Sequence, residues 1–159
     1  MVVKRAILIY CCLGWSLGAW AGTTVPAVQS TVTYQTEDVF ESVGENAESA
    51  IIDRGLVIGR TLHVREMLDR TGPDLGFPYN VYLEAVALEF CSASISHRMI
   101  AADPVNIVVC PFTITVYVKV DDPDKVFVSF RQPELVGDDG SISVDIFSLL
   151  DGIAREAIE

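Results

Sequence analysis

The alternation of apolar and polar residues near the end of the chain constrains the fold more than any other feature. From Phe112 to Val120 every second residue is phenylalanine, isoleucine or valine, and threonine, tyrosine or lysine stand between them. A period of two is typical of a strand that buries one face. After an aspartate-rich turn at residues 121–124, residues 126–131 alternate in the same way. The two runs predict a β-hairpin whose apolar face another layer must cover.

Helical periodicity indicates what covers that face. Residues 40–51 carry apolar side chains at three- and four-residue spacing, and Thr36 is a predicted cap with Glu37 and Asp38 in the first turn behind it. A second apolar stripe, at residues 146–157, predicts the last helix. Two helices are therefore available to pack on the sheet.

The other elements complete an order of β, α, β, β, α, β, β, α. Branched residues predict strands at residues 31–35 and 56–64, a single helical turn is expected at 65–69, and residues 92–102 suit a short helix. Residues 81–91 contain good helix formers but also suit a strand that is apolar on both faces, and periodicity leaves both open. With a strand there, the order predicts an α+β fold, a largely antiparallel sheet with helices on one face.

The beginning of the chain has the order of a secretory signal peptide. Lys4 and Arg5 precede an apolar run at residues 6–17, and Ala21 ends a small-residue cleavage pattern. The run is shorter than the roughly 20 residues of a membrane-spanning helix, although an uncleaved anchor is the alternative. We therefore predict a signal peptide at residues 1–21 and a periplasmic or secreted protein without stable membrane insertion after cleavage. Residues 22–30 are predicted to form a flexible leader, and residues 31–159 a single domain.

The charge of the chain narrows the possible partners. It has 22 acidic and 11 basic residues, and removing Lys4 and Arg5 with the signal peptide leaves a formal net charge of 9 − 22 = −13. Such a field repels nucleic acid and anionic membranes, so we expect neither as a partner. Solubility is the commonest reason for an acidic surface.

Three short segments resemble the domain of unknown function 302 family. They are residues 89–93, the Cys110–Pro111 step and residues 126–133, and the likeness extends roughly over residues 31–133. The resemblance implies a small α+β domain that tends to pair as a homodimer, and it supports a strand at residues 81–91. It implies no established activity.

Two cysteines depart from that family pattern, and one histidine matches it. Cys91 stands where the family has glycine, and Cys110 where it has leucine. His63 matches a histidine that the family often carries at the end of its second strand, which makes it a candidate ligand-binding residue. A lone histidine at such a position is more often structural or exposed.

Cys91 and Cys110 are the two cysteines that remain after the predicted cleavage, and an oxidising compartment favours a disulfide between them. If Cys91 ends one strand and Cys110 begins its antiparallel neighbour, both sulfurs lie at one end of the sheet and can be bridged. A crossover between parallel strands would place them at opposite ends. Closing the loop would stabilise the fold by roughly 3 kcal/mol in the chain-entropy model.

Two other uses of the cysteines stay open. Cys91, His97 and Cys110 could form a soft metal site for copper or zinc, with Met99 offering a thioether, although the spacing matches no standard motif and such a methionine is typical of a core. Alternatively, the pair could be a labile redox bridge, with Arg98 as the nearby positive charge. No cofactor is predicted beyond that possible copper or zinc.

A glycine- and proline-rich stretch at residues 72–80 predicts a loop and a candidate binding site. Catalytic motifs such as a nucleophile elbow, a phosphate-binding glycine loop or a zinc-protease helix are missing from the sequence. The sequence therefore favours an exported, non-catalytic binding or accessory module. A thiol-redox or metal-handling protein is the first alternative, and a small hydrolase whose residues are far apart in sequence is the second.

Overall fold

The predicted strands form one sheet in the computed structural model, which describes residues 30–159. The predicted signal peptide and residues 22–29 of the predicted leader lie outside the described residues. The elements follow in the order β1 (Ser30–Thr36), α1 (Phe40–Asp53), β2 (Val57–His63), α2 (Val64–Thr71), β3 (Tyr82–Cys91), α3 (Ala93–Ala102), β4 (Phe112–Lys119), β5 (Asp122–Gln132) and α4 (Ser141–Glu156). Short 3₁₀ helices at Pro73–Leu75 and Pro104–Val109 precede β3 and β4. The predicted α+β fold is confirmed.

The sheet has the order β1-β5-β4-β3-β2, and every neighbouring pair is antiparallel. Residues 81–91, which periodicity left between helix and strand, belong to β3. Ala85 and Ala87 on one face of β3 are buried, and so are Leu88 and Phe90. Burial on both faces explains why this strand lacks a clear alternation.

The core lies between the sheet and the helices α1 and α4. Every second residue of β4 is buried, as its alternation predicts, and α1 and α4 contact the sheet and each other. The fully buried residues include Ile114, Val116 and Val128 from the sheet, Val43, Ala47 and Ile51 from α1, and Ile146, Leu150 and Ile153 from α4. The predicted periodicities of two and of three to four therefore mark the surfaces that meet.

The first helix begins later than predicted. Thr36 is the last residue of β1 and pairs with Val126 of β5, so the sheet holds it in an extended conformation. As a result α1 starts at Phe40, and Glu37 and Asp38 precede the helix instead of lying in its first turn. The prediction of Thr36 as the cap was wrong because strand pairing competes with capping at this residue.

The connection between β3 and β4 is tied to the rest of the fold by one buried amide. Asn106 is 2 % exposed. Its amide nitrogen donates to the carbonyl oxygens of Met99 and Val136, both at 2.9 Å, and its amide oxygen accepts from the Val136 N–H at 3.0 Å. These bonds join α3 and the second 3₁₀ helix to the loop before α4, and they position the chain that enters β4 at Cys110.

Among residues 30–159, the helices are all too short or too polar to cross a membrane.

Candidate functional site

Cys91 and Cys110 meet at one end of the sheet. Cys91 ends β3, and Cys110 lies two residues before β4, which is the antiparallel neighbour of β3. Their Cα atoms are 5.9 Å apart and the sulfurs are at disulfide distance. The prediction that neighbouring antiparallel strands bring both sulfurs together is confirmed. Cys91 is exposed, so this end of the sheet is open to solvent.

The other members of the predicted metal site do not join the cysteines. His97 is exposed on α3, and Met99 is fully buried in the core, as a methionine at that helical position usually is. In the part of the chain that the structure describes, no three histidine, cysteine, aspartate or glutamate side chains lie close enough together to hold a metal ion. Copper or zinc binding by Cys91, His97 and Cys110 stays a prediction, and it requires reduced sulfurs because thiolates are the ligands.

His63 ends β2 and is exposed. It occupies the position before α2, but its side chain does not cap that helix. A role for His63 in binding a ligand stays a prediction.

The loop between α2 and β3 lies at the end of β3 opposite Cys91. Its backbone is compact, since the Phe77 N–H donates to the Gly72 carbonyl oxygen at 2.8 Å. A Cβ atom on Gly72 would lie 2.5 Å from the Phe77 carbonyl oxygen, so this close approach requires glycine. Gly76 has a positive φ of 82° and ends the 3₁₀ helix within the loop.

Asn80 connects this loop to its neighbours. Its amide nitrogen donates to the Asp69 carboxylate at 2.9 Å and to the Arg65 carbonyl oxygen at 3.3 Å, and its amide oxygen accepts from the Tyr82 N–H at 3.1 Å. The loop is therefore held between α2 and β3 rather than attached only at its ends.

This ordered loop presents apolar side chains to solvent. Phe77 is 71 % exposed and Tyr79 is 87 % exposed. They are the only exposed aromatic residues within residues 30–159, since every other phenylalanine and tyrosine there is buried or half-buried. Leu75 and Val81, which line the same cleft, are also exposed. Contiguous apolar surface of this kind marks interaction sites.

The loop and α2 enclose an open cleft of about 350 Å³. Its lining is mostly apolar, with Leu68, Leu75, Phe77, Pro78, Tyr79 and Val81 among the contributors. A second depression of about 400 Å³ adjoins it, and the two share Asn80 and Val81. This loop cleft is our candidate functional site, and it coincides with the binding loop predicted at residues 72–80.

The titratable groups with clearly shifted pKa values serve the fold instead of this cleft. The hydrogen bond from the Tyr34 hydroxyl to Asp151 raises the pKa of the phenol and lowers the pKa of the carboxyl, and it joins β1 to α4. A hydrogen bond from Ser143 lowers the pKa of Asp138, which also accepts backbone N–H groups at the beginning of α4. Neither group lines the loop cleft.

The family named domain of unknown function DUF302 matches residues 31–155. The chain belongs to the DUF302 family. This match extends beyond the resemblance over residues 31–133 and includes most of α4, which packs on the sheet.

A solved structure shares the DUF302 fold. The crystal structure of an uncharacterised conserved DUF302 protein from Bacillus stearothermophilus is 19 % identical to this chain, with a TM-score of 0.65. The similarity covers 80 % of this chain and 97 % of the Bacillus chain. At this identity the likeness concerns the fold alone. None of the curated proteins compared with this DUF302 chain matches it.

Sequence reasoning found the loop of this DUF302 protein but missed the residues of α2 and of the β4–β5 turn beside it. Leu68 on α2 and Val120 in the β4–β5 turn border the cleft and its adjoining depression. The sequence placed Val120 at the end of the strand and the turn at residues 121–124, whereas β4 ends at Lys119 and β5 begins at Asp122, so the turn comes earlier and includes Val120. The partner that brings it to the cleft is the Val81 carbonyl oxygen, which accepts the Val120 N–H at 3.0 Å across the sheet.

Proposed function

We propose that this DUF302 chain is an exported, non-catalytic binding module whose binding site is the loop cleft. The observation that carries the proposal is the exposure of Phe77 and Tyr79 from a hydrogen-bonded loop. Leaving such rings in water is unfavourable, and covering about 150 Å² of one ring is worth about 4 kcal/mol at about 25 cal/mol per Å². A ligand that covers both rings can therefore gain binding free energy with little ordering of the loop.

The cleft has the dimensions of a binding site. Pockets that hold small molecules have volumes of roughly 300–1,000 Å³ and a mostly apolar lining with a few polar groups. The loop cleft, at about 350 Å³, lies within that range. Asn80, Asp69 and Thr71 supply its polar groups.

A neutral apolar dye tests the site. N-phenyl-1-naphthylamine gains fluorescence in apolar surroundings, and we expect it to bind the purified protein. Phe77→Ser and Tyr79→Ser should each weaken binding about tenfold or more, since each removes much of the apolar contact. Val144→Ser is the matched control, because Val144 is 62 % exposed on α4, outside the cleft. Equal dye binding by all four proteins would refute the assignment of the site.

Export is part of the proposal and is supported by the order of residues 1–21. Intact-mass analysis of the protein from a bacterial periplasm should give a chain that begins at Gly22. A product that retains Met1 to Ala21, or a reporter fused to residues 1–25 that stays in the cytoplasm, would contradict it. Native mass analysis of the same sample would also report the homodimer that the family resemblance implies.

A thiol-redox or soft-metal role is the second candidate, and the exposure of Cys91 favours it. Alkylation before reduction distinguishes the possibilities. Two blocked cysteines that resist mild dithiol support a structural disulfide, whereas free or readily reduced thiols support redox use. A copper or zinc mass that disappears on denaturation, and is absent from Cys91→Ser and His97→Ala, would support the metal site.

A further inference from the structure

The loop cleft continues into a longer groove. It shares Asn80 and Val81 with the adjoining depression, which Tyr82, Lys119, Val120 and Asp121 also line. The hydrogen bond between Val120 and Val81 joins the two loops that form this surface. The combined feature, here called the loop groove, runs from α2 past the exposed aromatic residues to the β4–β5 turn.

Carboxylates stand along the rim of the loop groove. Asp69 lies on α2, Asp74 stands between the lining residues Pro73 and Leu75, and Asp121 lies in the β4–β5 turn. The Asp121 side chain is 82 % exposed. Negative charge is therefore present on both sides of an apolar floor.

Three cations lie near this rim. Arg70 is exposed on α2 beside the lining residue Asp69, and the other two contact groups of the protein. The Arg65 guanidinium contacts Asp69 at 3.2 Å and Glu84 at 3.3 Å, so it is shared between two carboxylates. The Lys119 amino group lies 4.6 Å above the Phe127 ring centroid and 3.7 Å from Asp121. Within residues 65–84 and 119–121 five carboxylates stand against three cations, so the surroundings of the groove carry an excess of negative charge.

We infer that the loop groove docks a segment of a partner protein in which apolar side chains are flanked by lysine or arginine. The inference rests on the proposed binding function of the cleft. Aromatic residues are enriched in protein interfaces, and Phe77 and Tyr79 supply them here. The open, elongated shape leaves one side of a bound molecule uncovered, which suits a peptide chain better than an enclosed small ligand. The acidic rim complements basic flanks, so charge selects the partner and the apolar floor supplies affinity.

Displacement of N-phenyl-1-naphthylamine by three peptides tests the partner chemistry. The first is acetyl-Lys-Lys-Leu-Ala-Phe-Leu-Ala-Lys-Lys-amide, the second replaces every lysine with glutamate, and the third keeps the lysines around a serine–glycine centre. We expect the first to displace the dye at a concentration at least tenfold lower than either of the others. Similar displacement by the second peptide overturns the role of charge, and similar displacement by the third overturns the role of the apolar floor.

Charge-matched variants locate the effect. Asp74→Asn combined with Asp121→Asn should raise the concentration of the first peptide that displaces half the dye about twofold to tenfold, since exposed ion pairs are individually weak. Glu45→Gln combined with Glu48→Gln removes the same charge from the exposed surface of α1 and should change that half-displacement concentration less than 1.5-fold. An equal effect of the two double variants would overturn docking at the groove.

The dye also separates the two proposals. If it binds in a Phe77- and Tyr79-dependent way and the first peptide fails to displace it, the partner inference is overturned and the binding site stands. If dye binding does not depend on Phe77 and Tyr79, the proposed function itself fails.

Discussion

Replacing Asn106 should destabilise the protein far more than replacing an exposed asparagine would. Asn106→Ala removes three hydrogen bonds and leaves the Met99 carbonyl and both backbone groups of Val136 without that partner. At about 1 kcal/mol for each bond, and more where a buried group loses its partner, the cost is about 3 kcal/mol or larger. A domain of this size has a free energy of unfolding of about 10 kcal/mol, so the loss is substantial but leaves it folded.

Urea denaturation measures this cost. With a slope of about 2 kcal/mol per molar, a loss of 3 kcal/mol lowers the midpoint by about 1.5 M without a change in slope. Asn80→Ala is the matched control, since Asn80 also makes three hydrogen bonds but is only half-buried. Water can replace its partners, so the expected cost is about 1 kcal/mol or less. If Asn106→Ala costs no more than Asn80→Ala, burial of the amide is not what stabilises the β3–β4 connection.

Three further predictions concern the fold. Reducing the Cys91–Cys110 pair should lower the free energy of unfolding by about 3 kcal/mol, because the closed loop spans a sequence separation of 19, and a thermal midpoint unaffected by reductant would contradict a structural disulfide. Gly72→Ala should lower the thermal midpoint because the added Cβ would meet loop backbone, whereas Gly44→Ala, which has open space on α1, should raise the free energy of unfolding by about 0.5–1 kcal/mol. A higher midpoint for Gly72→Ala than for Gly44→Ala would show that the loop backbone relaxes freely. The hydrogen bond from Ser143 lowers the pKa of Asp138 in the folded protein, so the stabilising effect of this carboxylate is present above the ordinary carboxyl pKa and is lost as the pH falls through the lowered value. In Asp138→Asn the free energy of unfolding should therefore depend less on pH below about pH 4, and an unchanged acid profile would refute that contribution.

Local patterns determined much of this structure before any contact was known. The alternation of β4 and β5 specified a hairpin and its buried face, because a period of two leaves only one side of a strand for the core. The stripe at residues 146–157 located α4 for the same kind of reason. The glycines and prolines of residues 72–80 marked a loop, since their backbone preferences act within a few residues.

Other features depended on partners far away in the chain. Residues 81–91 became a strand because β2 and β4 pair on either side of it, and Thr36 stayed in β1 because Val126 pairs with it. Asn106 gained its role from Val136, thirty residues later, and the loop groove from the approach of Val120 to Val81. Sequence periodicity reports which side of a segment faces apolar surroundings, whereas these decisions rest on hydrogen bonds and contacts that exist only after the chain has folded.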